Sequence, residues 1–186
     1  MAKIIRFFIV LRVVMEKCRF LLCLFAAFLV VACGGSEAEI PECSESLSFP
    51  CTDAASGLSW SAKAMHPKNW DDALFYCENL EENGVKNWKL PNIDELRTLI
   101  KDCDGTVSGG GCKVSSDRGC LSYDSCWSTF CLCKAGEGGK YSKFGDSGGL
   151  WSSSEAGDEG AWYINFYEAK IIDDYKESSY AVRCVK

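Results

Sequence analysis

The chain has 186 residues, 20 Lys and Arg against 26 Asp and Glu for a net charge of −6, and 13 cysteines. That length accommodates one ordinary domain with a leader or tether, not two sizeable cores. The acidic balance repels phosphate backbones and argues against nucleic acid as a partner.

The first residues read as an export signal. Phe20 to Val31 are apolar without interruption and follow Lys17 and Arg19, the order of a secretory signal peptide. As a helix this run rises about 18 Å, against the roughly 30 Å of a bilayer core, so it is too short to span. Met15-Glu16-Lys17-Cys18-Arg19 begins a neater leader than the one that starts at Met1. At its end, Val30-Val31-Ala32-Cys33 resembles the lipobox of bacterial lipoproteins. The resemblance implies that residues 1–32 are removed and that Cys33 carries the lipid. Gly34 after the cysteine, rather than Asp, implies export to the outer membrane. Two or three acyl chains would anchor the protein firmly where one would hold it marginally.

Residues 1–32 carry five of the basic and one of the acidic residues, which leaves 15 against 25 and a net charge of −10 for the remainder. Ten cysteines follow Cys33: Cys43, Cys51, Cys77, Cys103, Cys112, Cys120, Cys126, Cys131, Cys133 and Cys184. An even, dense set behind an export signal reads as disulfides. Zinc is the competing use, but no Cys-x-x-Cys pair and no nearby histidine supports it.

In chain order, residues 33–50 are polar and acidic and read as a lipid-proximal tether to a domain over 51–186. Gly57 to Ala62 alternates as a strand. Asn69 caps a helix with Trp70, Ala73, Leu74, Cys77 and Leu80 at helical spacing, closed by Gly84. Asn92 and Glu95 form a capping box for a second helix with Ile93, Leu96, Leu99 and Ile100 on its buried face. Residues 103–149 are rich in Cys and Gly and lack apolar period, so they read as a long loop stapled by disulfides. Within it, Cys103–Cys112 is the expected local pair, because Gly109-Gly110-Gly111 allows a tight return; spacing leaves the pairing of Cys120, Cys126, Cys131 and Cys133 open. Leu150 to Ser154, Ala161 to Phe166 and Tyr180 to Val185 then read as strands. Helices followed by a run of strands define an α+β class.

Gly57-Leu58-Ser59-Trp60, Tyr76-Cys77, Trp88-Lys89-Leu90-Pro91, Trp151-Ser152-Ser153-Ser154, Ala161 to Phe166 and Val182-Arg183-Cys184-Val185 together are similar to the C-terminal domain of the Legionella collagen-like adhesin family. The resemblance covers Gly57 to Lys186. It implies a C-type-lectin-like fold with two helices, a curled antiparallel sheet and a long loop. It also implies a disulfide from the first helix to the last strand, which falls on Cys77 and Cys184.

Several further patterns compete for a role. Gly145-Asp146-Ser147-Gly148-Gly149 reproduces the nucleophile motif of chymotrypsin-like proteases, with Ser147 as nucleophile. That chemistry needs a histidine base held by an aspartate. The only histidine is His66, without that family's surrounding motif, and only 39 residues follow Ser147, so the motif reads as a Gly-rich turn. The lectin calcium tripeptides are absent, since Leu90-Pro91-Asn92 lacks the ligand before proline. Asp102 with Asp104, and Asp173 with Asp174, read as solvated charge rather than as calcium ligands. Among Trp127, Trp151, Trp162 and Tyr175, Trp127 is the candidate ligand-stacking aromatic, because the other tryptophans sit on strands in register with core positions. The expectation is therefore a surface-exposed outer-membrane lipoprotein, not an enzyme, with no cofactor. Its lectin-like module would serve adhesion or carbohydrate binding. The alternative is a structural or protein-interaction element of the envelope that binds no glycan.

Overall fold

A computed structural model of the chain describes residues 38–103 and 133–186. Cys33, Cys112 and Trp127, and the pairing of Cys120, Cys126 and Cys131, lie outside the described residues.

Helix α1 (Trp70–Glu78) starts where Asn69 accepts a hydrogen bond from Asp72 N at 2.8 Å. Asp71 and Asp72 in its first turn complement the positive end of the helix dipole. Trp70, Ala73 and Cys77 form its buried stripe. The helix stops at Asn79, and Leu80 lies half-buried beyond its end. Gly84, expected to close the helix, instead takes φ +79° in the return formed by the Glu82–Val85 bridge. Helix α2 (Ile93–Arg97) has the full capping box: Glu95 N donates to Asn92, and Asn92 N donates to the Glu95 carboxylate, both at 2.8 Å.

Strands β1 (Cys51–Thr52) and β2 (Ser59–Trp60) pair antiparallel, as do β3 (Gly149–Glu155), β4 (Gly160–Asn165) and β5 (Lys170–Tyr175) in the order β3-β4-β5. The class is α+β. Side chains alternate across β4, so Trp162 and Ile164 join the core built on Ile93, Leu96 and Leu99, whereas Ala161 joins the core built on Trp70, Ala73 and Cys77. The sheet thus has α2 on one side and α1 on the other.

Residues 180–185, expected as one regular strand, lie among several partners instead. Tyr180 bridges Lys68, Ala181 bridges Leu150, and Val185 bridges both Trp60 and Lys89. The neighbour changes every few residues, so no continuous ladder forms. Conversely, β5 is a strand without an obvious strand pattern: Ile171 is fully buried, but Lys170, Asp173 and Asp174 obscure its alternation.

The tether and the loop pairing both need correction. Pro41 to Pro50 is part of the domain: Thr52 N donates to Pro41 O at 2.8 Å, Cys43 N donates to Thr52 O at 2.9 Å, and Cys43 is bonded to Cys51. Leu47 and Phe49 pack against the core from the same segment. Cys103 pairs with Cys133, not with Cys112. The backbone brings these two ends of the Cys-rich segment together. Lys101 N donates to Tyr141 O and Lys143 N to Leu99 O, while Cys133 N and Gly136 N donate to Glu168 O and Tyr167 O of the β4–β5 turn. Cys103 therefore meets Cys133 with Cα atoms 5.8 Å apart. Cys77 on α1 is bonded to Cys184 across a sequence separation of 107, and both are fully buried.

Candidate functional site

Trp151 of β3, Tyr163 of β4 and Tyr180 of the C-terminal segment converge on the α1 side of the sheet. The Tyr163 and Tyr180 rings stack 4.1 Å apart at 19°, and Tyr180 meets Trp151 edge-on at 4.8 Å. Trp151 is fully buried and donates through Nε1 to Lys68 O at 3.0 Å, so it forms a fixed floor. The two tyrosines are half-buried. Gly149 makes this stack fit, because a Cβ there would lie 2.3 Å from the Tyr180 ring and 3.1 Å from that of Tyr163.

Tyr180 is held from both ends. Its backbone N–H donates to Lys68 O, and its hydroxyl donates to Asp174 Oδ2 at 2.7 Å. Asp174 Oδ1 accepts from Tyr175 N at 2.8 Å. The shared proton belongs to the phenol: the Tyr180 hydrogen bond holds the Asp174 carboxyl below its ordinary 3.8. Burial, then the bonds to Tyr163 and Asp174, push the Tyr180 hydroxyl far above the ordinary tyrosine value. Burial likewise pushes Tyr163 up. At neutral pH the pair is two neutral phenols beside one carboxylate, which can stack on an apolar ligand face and exchange hydrogen bonds at its edge.

Asp174 also borders a shallow depression of about 490 Å³, lined with it by Asp158, Glu159, Gly160, Asp173 and Tyr175. The Tyr175 ring on its rim is 64% exposed. Among the described residues no group of three His, Cys, Asp or Glu side chains is arranged to hold a metal ion.

Of the residues singled out in the sequence, Trp151 and Trp162 are core and Tyr175 is exposed. Asp102 is exposed at φ +54°, and Asp104 is outside the described residues. The protease-like motif is a structural junction. Its Asp146 is 1% exposed and takes two hydrogen bonds from the Arg183 guanidinium, at 2.8 and 3.1 Å. Ser142 Oγ donates to the same carboxylate at 3.2 Å, and Lys63 Nζ lies 3.3 Å away. The Arg183 guanidinium lies over Phe49 at 4.6 Å and Phe144 at 5.3 Å. Ser147 and His66 are both exposed. Sequence reading missed Tyr163 and Tyr180. The available signal was the alternation of β4, which puts Tyr163 opposite to Trp162 and Ile164.

The chain is thus a disulfide-tied α+β domain with an aromatic face on its antiparallel sheet. It belongs to the Lcl C-terminal domain family, whose match covers residues 50–186. That membership makes it a surface- and adhesin-associated type of domain. No curated protein is significantly similar to it in sequence. Among the described residues no helix is long and apolar enough to cross a membrane.

Proposed function

We propose that this protein is an outer-membrane lipoprotein, anchored through acylated Cys33, whose C-type-lectin-like domain binds a glycan at the cell surface for adhesion and does no chemistry on it. The observation that carries the binding reading is the half-buried Tyr163–Tyr180 stack, its phenol direction set by Asp174, in a domain of the Lcl C-terminal family. Stacked tyrosines offer a rigid apolar face at low entropic cost, and the phenols and carboxylate beside them can hydrogen-bond sugar hydroxyls. The lectin-like reading of the fold draws on two helices, an antiparallel sheet and the Cys77–Cys184 bond from α1 to the C-terminal segment.

Charge selects among glycans. The chain after residue 32 has a net charge of −10 by sequence, and Asp158, Glu159 and Asp173 line the depression that Asp174, the carboxylate bonded to Tyr180, borders. Sulfated polysaccharide and nucleic acid are repelled, so the glycan class proposed is neutral or amine-bearing. A glycan array probed with the protein and with a Tyr163→Ala variant tests this. Binding to neutral or amine-bearing glycans that the variant loses is expected. Binding only to sulfated glycans, or equal binding by the variant, overturns it. Mass spectrometry of the envelope form should find diacylglyceryl on an N-terminal Cys33; an unmodified Cys33, or a different N-terminus, overturns the anchor.

A further inference from the structure

Residues 41–50 make a strap that closes the domain next to the point where a chain from the membrane would enter. Phe49 is its inner face: its ring packs edge-on against Phe144 at 5.2 Å and lies under the Arg183 guanidinium, which is bound to buried Asp146. Asn83 Nδ2 holds Phe49 O from outside at 3.2 Å. The strap therefore covers the buried ion pair that joins the C-terminal segment to the turn before β3. Removing it would open Arg183 and Asp146 to water.

The strap is also the first part of the fold that tension from the N-terminal side would reach. Among the described residues, the half-buried Ile40 side chain, packed against the α1-side core, and the bridge of Thr52 N to Pro41 O and Cys43 N to Thr52 O precede it. One half-buried side chain and two backbone hydrogen bonds yield readily to a sustained pull, because water replaces the bonds. The Cys43–Cys51 disulfide lies across this position and spans the whole strap, with Cα atoms 4.8 Å apart.

We propose that the Cys43–Cys51 disulfide is a clasp that carries tension from the membrane anchor directly into β1, bypassing the Phe49 strap so that the Asp146–Arg183 junction stays covered under load. Force entering at Cys43 passes through the bond to Cys51 and on to Thr52 and β2, and residues 44–50 remain slack. The proposal rests on the anchor reading for the origin of the tension, but the clasp itself is a property of the folded domain.

The test is a force-clamp measurement on the whole protein extracted in detergent, held by its N-terminal end and Lys186. Without reductant, the oxidised protein should show no short extension before the domain ruptures. A Cys43→Ser, Cys51→Ser variant should first release the strap at low tension, a step of about 20 Å for the 8-residue separation. If that variant ruptures at the same tension as the parent with no early step, the clasp carries nothing and the proposal fails. If the variant does not fold, the parent pulled in a thiol reductant decides: half-buried Cys43 should be cleaved first with the same short step, ahead of a step of about 270 Å from Cys77–Cys184 while Cys103–Cys133 stays closed. Rupture of the whole domain ahead of any short step overturns the proposal. A Phe49→Ala variant with the bond intact should show no short step; if it does, packing of Phe49 rather than the bond protects the strap. An early step in the serine variant together with an unacylated Cys33 would refute the anchor and leave the clasp standing.

Discussion

Asp146 and Asp174 are two carboxylates on two sides of one sheet, handled in opposite ways. Asp146 is almost fully buried, and its oxygens are covered by Arg183, Ser142 and Lys63. A charge taken out of water needs that much compensation, and the result is a rigid junction with nothing left to offer a ligand. Asp174 remains partly in water and is held by one phenol, one backbone N–H and the Ser178 side chain, with no cation among them. The aromatic rings it orients stay accessible. Burial makes the first carboxylate part of the scaffold, and partial exposure makes the second part of a surface that can bind.

The comparison breaks most visibly at Asp146. Asp146→Ala leaves the Arg183 guanidinium buried without its carboxylate and should cost about 3–5 kcal/mol, read by urea denaturation. An Asp146→Leu, Arg183→Met double variant should cost clearly less than the two single changes together, since it leaves no orphan charge. The turn that carries Asp146 is the next most sensitive point. Gly139 has φ +73°, and a Cβ there would sit 2.2 Å from Gly145 O, so Gly139→Ala should cost about 2–3 kcal/mol in the same measurement.

Changes on the Asp174 side should be milder and should report on binding. Gly149→Ala pushes a methyl into the Tyr180 ring and should cost about 1–2 kcal/mol while weakening the proposed glycan binding, measured by calorimetry. Tyr180→Phe keeps the stack but removes the hydroxyl that Asp174 accepts, for about 1 kcal/mol. It also has a pH signature. The Asp174 carboxyl lies lower in the folded state, so its contribution is fully present above the ordinary value of 3.8 and is lost as pH falls through the lowered one. Tyr180→Phe should therefore lose less stability than the parent between neutral pH and the acid side, in denaturation midpoints taken from pH 7 downward. An unchanged acid slope would mean that the hydrogen bond does not set the Asp174 carboxyl.

Local signals in the chain were reliable where the physics is local. Asn69 and the Asn92–Glu95 pair announced both helix starts, because a cap is satisfied within three residues. Trp162 and Ile164 announced their core face through the two-residue period of a strand. The strand β5 did not, because Asp173 and Asp174 lie beside Ile171 and Ile172 and mask the alternation. Of the candidate site, Tyr175 was noted in the sequence, but Tyr163 and Tyr180 were not. Each is an ordinary tyrosine until the other comes to stack on it from 17 residues away, over a glycine at a third place in the chain.

Composition and spacing by themselves determined the α+β class, the dense disulfide chemistry and both capped helices, since these depend on neighbours in sequence or on counts. Family motifs in order determined the kinship with the Lcl C-terminal domain. Only the tertiary structure decided that Cys103 meets Cys133, that Pro41 to Pro50 belongs to the domain, and that Asp146 of a protease-like motif is the partner of Arg183. Those three outcomes depend on backbone hydrogen bonds and burial between segments far apart along the chain. Spacing cannot encode such pairings, because the energy that selects them arises only once distant elements have packed.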